Sequence, residues 1–334
     1  MRFASGALCA FLFLVEIAAA QVGFQQISIP DPPGKPIAAA IWYPSSAKNS
    51  PQRLALFQQD VAPDGPILGS HLPIIVISHG NQGSLTSHYD TALALAQAGF
   101  VAVAFTYTGD NTQDQSYAGN RIDLIDRPRQ LKRVITFSLD EWKDRAHLNP
   151  NAVGVFGFSL GAFATLVEIG GVPDIARMAQ LCRARPDAPE CAFIKQTHGD
   201  QLETTTEIPT WAHDARIRSA VIAAPAVSYL FGPHSLNQVK IPVQLWRGTL
   251  DIMAPDAWNS GIVLKALPNP PDLHTVQDAE HMSFLAPCSD ALRQVAAFIC
   301  TDAPGFDRVA FHKQFNQDVV AFFSRTLQHA DASK

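Results

Sequence analysis

Val153-Gly154-Val155-Phe156-Gly157-Phe158-Ser159-Leu160-Gly161-Ala162 runs from a short apolar, β-branched and aromatic segment into a stretch rich in Ala and Leu, and its centre reads Gly-x-Ser-x-Gly. A strand that turns directly into a helix at a serine tolerates only small residues two before and two after it. The serine is then lifted out at the helix N-terminus. Gly-x-Ser-x-Gly also arises by chance at glycine-rich turns. Here a strand pattern precedes it and a helix pattern follows, so Ser159 reads as a nucleophile on a strand-to-helix elbow.

Outward from this elbow the same alternation repeats. Leu72 to Ser78, Val101 to Tyr107, Val153 to Phe158, Ala220 to Ala224, Val243 to Trp246 and His274 to Gln277 are short runs of strand character. Helix-like stretches lie near 86–98, 121–142, 160–169, 256–266 and 307–328. Strands alternating with helices predict βαβ units and a mostly parallel, doubly wound sheet covered on both faces, an α/β fold. Phe24 to Ile29 and Ile37 to Tyr43, separated by Pro30-Asp31-Pro32-Pro33-Gly34, predict a hairpin-like start, and the polar, Pro-rich residues 44–71 read as loop. Residues 172–215 break the rhythm, being too long for an ordinary connection. They are expected to form a lid-like insertion after the nucleophile helix, with Ile175, Met178, Leu181, Phe193 and Ile194 making one apolar face.

A serine alone is a weak nucleophile. It needs a base to take its proton and a carboxylate to hold that base in the right tautomer. On this kind of sheet the chain order is serine, acid, histidine. The strand Val243 to Trp246 is followed by Arg247-Gly248-Thr249-Leu250-Asp251, which puts Asp251 in the loop at its C-terminal edge. Asp256, after Pro255, fits the opening of the next helix better. Past the last strand comes His281, whereas His274 begins that strand and His312 falls within the final helix. Two backbone N–H groups should face the tetrahedral intermediate. One is that of Leu160, after the nucleophile, and the other that of Asn81 in the loop His79-Gly80-Asn81-Gln82-Gly83. His79 is expected to make a structural hydrogen bond. Neither metal-binding spacings nor a dinucleotide fingerprint is present, so no cofactor or metal is implied.

The 334 residues, 47% hydrophobic and 16% charged, suit a globular chain with a sizeable core. A net charge of −5 without a basic run disfavours nucleic-acid binding. Arg2, the apolar run Ala7 to Val15 and the small residues Ala18-Ala19-Ala20 predict a signal peptide over 1–20, cut before Gln21, leaving a single domain over 21–334. Cys9 sits inside that run, which argues against a lipid anchor there. No later stretch reaches the ~18 apolar residues a membrane span needs. In the oxidising compartment that export implies, Cys182, Cys191, Cys288 and Cys300 favour disulfides over metal ligands or free thiols. Four cysteines allow three pairings, and the two close pairs predict Cys182–Cys191 and Cys288–Cys300.

Ile77-Ser78-His79-Gly80, Gly157-Phe158-Ser159-Leu160-Gly161, Gly248-Thr249-Leu250-Asp251 and His281-Met282-Ser283-Phe284-Leu285-Ala286-Pro287-Cys288 together resemble the bacterial proteins labelled predicted dienelactone hydrolases, which are similar to platelet-activating-factor acetylhydrolases within the α/β-hydrolase superfamily. The resemblance runs over about 24–325. It implies the α/β-hydrolase fold and the same Ser159, Asp251, His281 triad. True dienelactone hydrolases look like cysteine enzymes at the nucleophile, and Ser159 in that place favours ordinary esters over lactones. The expectation is a secreted or periplasmic serine esterase acting on a small-molecule ester. Rival readings are a phospholipid acyl hydrolase, a peptidase and a non-catalytic binding protein on the same scaffold. Oligomeric state is not legible.

Overall fold

A computed structural model describes residues 21–32, 34–187, 191–192, 211 and 213–328. The expected signal peptide, and Phe193 and Ile194 of the insertion, lie outside the described residues. Ten strands form one sheet: β1 (Val22–Ile29), β2 (Ile37–Pro44), β3 (Ser50–Leu54), β4 (Phe57–Pro63), β5 (Leu72–Ser78), β6 (Val101–Phe105), β7 (Leu148–Phe158), β8 (Ile217–Ala223), β9 (Val243–Gly248) and β10 (Asp272–Val276), in the spatial order β10-β9-β8-β7-β5-β6-β2-β1-β4-β3. From β6 to β10 every pairing is parallel. β1 and β2 form the expected hairpin, in register from Val22 opposite Pro44 to Ile29 opposite Ile37, and β2 joins β6 antiparallel.

The helices that lie wholly within the described residues are α1 (Tyr89–Gln97), α2 (Arg121–Thr136), α3 (Leu160–Glu168), α4 (Ala176–Ala184), α5 (Ser260–Ala266), α6 (Asp290–Val295) and α7 (Arg308–Phe323). Successive strand side chains point to opposite faces, and β5 shows what each face meets. Ile74 and Val76 join the cluster of Leu131 and Val134 from α2 and Phe163 and Leu166 from α3. Ile75 and Ile77 join Ala92 and Leu95 from α1 and Phe315, Val319 and Phe322 from α7. Burial on both faces is why the central strands read as unbroken apolar runs.

Residues 44–71 are not all loop as expected. Ser50–Leu54 and Phe57–Pro63 pair antiparallel around a turn with Ala55 at φ 52°. Leu54, Phe57, Gln59 and Val61 are buried, with exposed residues between them. At this sheet edge only one face is covered, so the strands carry polar residues on the other and the apolar signal is thin. The helix expected over 256–266 is a 3-10 turn at Asp256–Trp258 followed by α5, and the one expected over 121–142 ends in a π-helical turn at Phe137–Glu141.

Glu168, the last residue of α3, is 2% exposed, and among the described residues its Oε2 has no hydrogen-bond partner. Burial lifts its pKa to about 8 against the opposing pull of Lys132. A carboxyl raised in the folded state contributes stability that is fully present below its unfolded value of 4.5 and is lost as pH climbs to about 8. Glu168→Gln is therefore expected to match wild type in thermal unfolding at about pH 5 and to exceed it at about pH 9, by an amount on the order of a few kcal/mol. Parallel pH curves for the two proteins would assign the loss to another group.

Candidate active site

β7 ends at Phe158 and α3 begins at Leu160, so Ser159 alone makes the turn, with φ 54° and ψ −120°. A non-glycine residue there carries backbone strain, and the surroundings hold it. The Ser159 N–H donates to Ala223 O at 3.0 Å, and its carbonyl accepts from Ala226 N–H at 3.1 Å. The flanking glycines are demanded by space. A Cβ on Gly161 would run into the Ser78 carbonyl, and one on Gly157 into Thr165 and the Gly161 backbone.

His281 opens a 3-10 turn beyond β10 and is 4% exposed. Its Nε2 lies 2.8 Å from Ser159 Oγ and its Nδ1 2.7 Å from Asp251 Oδ2. A carboxylate can only accept, so the pairing places the proton on Nδ1 and leaves Nε2 to accept from the serine hydroxyl. The second Asp251 oxygen accepts from Ala254 N–H at 2.7 Å. Asp256, the rival acid, pairs instead with Arg247 at 2.8 Å. The Asp251 and His281 loops are joined where Leu250 N–H donates to Ala279 O. The histidine loop is held further by Ser283, whose Oγ donates to Asp302, and by the Cys288–Cys300 disulfide. The other expected pairing, Cys182–Cys191, is present too.

His274 stacks on Trp246 at 3.9 Å, and His312 bonds Asp90 and the Ser283 carbonyl, so both are placed away from Ser159 Oγ. His79 is buried. Its Nε2 accepts from Tyr107 N–H at 3.0 Å and its Nδ1 donates to Gly80 O at 2.6 Å. Burial, aided by Arg127, drops its pKa to about 3, which keeps the ring neutral as these bonds require. Leu160 is the first residue of α3, and Asn81 follows Gly80, which packs against Ser159. Among the described residues no protein group accepts from either backbone N–H. Two residues of this region had no sequence signal. Asp110 and Arg127 are both fully buried and meet the loop 79–82 from behind. An arginine in an amphipathic helix ordinarily reads as a surface charge.

The family model of the dienelactone hydrolase family matches residues 60–192, a span that contains the elbow and the His79–Gly80 loop. The ferulic acid esterase from Streptomyces cinnamoneus shares the fold with a TM-score of 0.63 at 15% identity, over 94% of this chain and 92% of that one. The chain has the α/β-hydrolase fold, and over 60–192 it is similar to the dienelactone hydrolase family. No curated protein matches the chain in sequence. Among its described residues no group of three or more His, Cys, Asp or Glu could hold a metal ion, and no helix is long and apolar enough to cross a membrane.

Proposed function

We propose that the hydrolase cleaves carboxylic esters through an acyl-enzyme on Ser159, with His281 as base and Asp251 as the acid that orients it. The observation that carries this reading is the unbroken hydrogen-bond chain from Ser159 Oγ through His281 to Asp251. Ser159 Oγ attacks the acyl carbon and gives its proton to His281 Nε2, and Asp251 steadies the imidazolium through Nδ1–H. The amides of Leu160 and Asn81 receive the negative charge of the tetrahedral intermediate. His281 returns the proton to the departing alkoxide, then activates a water that releases the acid. The two disulfides support an oxidising, secreted or periplasmic setting.

The insertion 172–215 acts in this reading as a lid that sets substrate size. Its support is the position of α4. Arg177 Nε donates to Tyr229 O at 2.8 Å, Tyr229 O–H to Met178 Sδ at 2.9 Å, and Leu181 shares a cluster with Leu160 and Phe163. The segment under α4 is the one whose Ala226 N–H bonds the Ser159 carbonyl.

The test uses nitrophenyl esters of graded acyl length, a feruloyl ester, a dialkyl phthalate and a phospholipid, with fluorophosphonate labelling mapped by peptide. Hydrolysis of at least one ester and labelling at Ser159 are expected, and a label on another serine overturns the assignment. Replacing 174–211 by a short Gly-Ser linker should change the ratio of rates on short and bulky esters while Ser159 still labels. An unchanged ratio in a folded protein removes the lid.

A further inference from the structure

The loop after β5 is gripped from its inner side. Arg127 on α2, fully buried, donates Nη1–H to the His79 carbonyl at 2.9 Å and Nη2–H to the Gly80 carbonyl at 3.1 Å. Two acid side chains aim the guanidinium. Asp123, one turn earlier, accepts from Nε at 3.0 Å, and Asp110, beyond β6, pairs with Nη2. The guanidinium carbon lies 4.2 Å above the Tyr107 ring centre. Asp110 holds the loop as well. Its Oδ1 accepts from Gln82 N–H at 2.8 Å, and the Asn81 side-chain amide faces both Asp110 oxygens at 3.0 Å, surroundings of acceptors alone that assign its nitrogen to that side as donor. Burial works against the charge of Asp110, but Arg127 beside it outweighs that and holds its pKa below the ordinary value.

The geometry of one peptide links this clamp to Ser159. The Gly80–Asn81 bond is trans, and in a planar trans peptide the N–H points opposite to the C=O. The Gly80 carbonyl is drawn to Arg127 and to His79 Nδ1–H, so the Asn81 N–H faces the other way. Gly80 lies against the nucleophile, since a Cβ placed on it would sit 3.0 Å from Ser159 Cβ. A carbonyl that accepts from a cation also polarises the N–H of its own peptide, making that N–H a stronger donor.

We infer that Arg127 is the positioning residue of the oxyanion hole, which by holding the Gly80 carbonyl fixes the direction of the Asn81 N–H and strengthens it as a donor. Arg127 itself touches no substrate atom. The inference rests on the ester-hydrolase reading above. A guanidinium serving only to pair with Asp110 and Asp123 would have no need to fork across two consecutive carbonyls of the catalytic loop.

The experiment compares wild type, Ser159→Ala, Arg127→Lys and Asp110→Asn in turnover of p-nitrophenyl acetate. It also measures affinity for phenylboronic acid, which forms a tetrahedral adduct on a reactive serine, and thermal unfolding. Lysine keeps the charge but has no planar fork to span both carbonyls. Arg127→Lys is expected to lower kcat about 100-fold with KM changed by less than about 3-fold, because a lost oxyanion donor acts on the transition state. Phenylboronate affinity should fall alongside kcat. Asp110→Asn, which retains an acceptor for Gln82, should show the same pattern to a smaller degree, and it carries the test if Arg127→Lys does not fold. A wild-type protein inert to both ester and boronate at Ser159 sinks the ester-hydrolase reading instead. The clamp is then judged by the Asn81 amide nitrogen shift, which should move in the variants more than any amide outside 79–83. A folded variant with unchanged kcat and boronate affinity, a loss confined to KM, or an unmoved Asn81 amide overturns the inference.

Discussion

Ser159→Ala is expected to lower ester turnover by about 10⁶-fold, the scale seen when the nucleophile of a serine hydrolase is removed, while its unfolding curve stays close to that of wild type. Catalysis falls because no other hydroxyl is brought to His281 Nε2 in the described structure, where Ser159 Oγ stands 2.8 Å away. Stability holds because the elbow is fixed by backbone bonds, from Ser159 N–H to Ala223 O and from Ala226 N–H to Ser159 O, which alanine keeps. Alanine also inherits the positive φ, so the strain of the turn is neither added nor relieved. Activity and thermal unfolding measured on the same preparation check both halves. Retained turnover would move the nucleophile elsewhere, and a collapsed Tm would show the hydroxyl to be structural.

Asp251→Asn is expected to cost about 10⁴-fold in kcat. The asparagine can present its N–H₂ to His281 Nδ1, which invites the tautomer with its proton on Nε2 and sets two donors against each other at Ser159 Oγ. The imidazolium formed during acyl transfer also loses its negative partner, which in the native protein lies 2.7 Å away at a site 4% exposed. Asp256→Asn is the matched control. That carboxylate is half exposed and pairs with Arg247, and surface pairs of this kind contribute at most about 1 kcal/mol, so turnover should stay within a few-fold of wild type. Effects in the opposite order would exchange the roles of the two acids.

The central sheet was legible because burial on both faces writes itself as uninterrupted apolar runs, and the elbow because the glycines on either side of Ser159 are forced by contacts with Ser78 and Thr165. Both short cysteine pairs were legible from spacing together with the export that a signal peptide implies. The β3–β4 hairpin was not, since an edge strand covered on one face needs few apolar residues, and prolines and charges around it read as loop. Arg127 was invisible for a different reason. It acts through main-chain carbonyls, which have no letter in the sequence, and its partners Asp110 and Asp123 are ordinary residues in ordinary places. The insertion was expected from the interruption of the βα rhythm, and of it residues 172–187, 191–192, 211 and 213–215 are described.

The strand order also governs the protein's life in time. β5 waits for a partner, β7, that is made only after α1, β6 and α2, and the N-terminal β1 joins the sheet through β2 on β6. Such distant pairings require large loops to close before any contact rewards them, so folding is slow, and unpaired strand edges stay open to neighbouring chains meanwhile. Once the sheet is closed, the same interlocked order means that no strand near Ser159 leaves alone. The native molecule is then expected to be guarded by the height of its unfolding barrier, with its endurance read as a half-life at a given temperature.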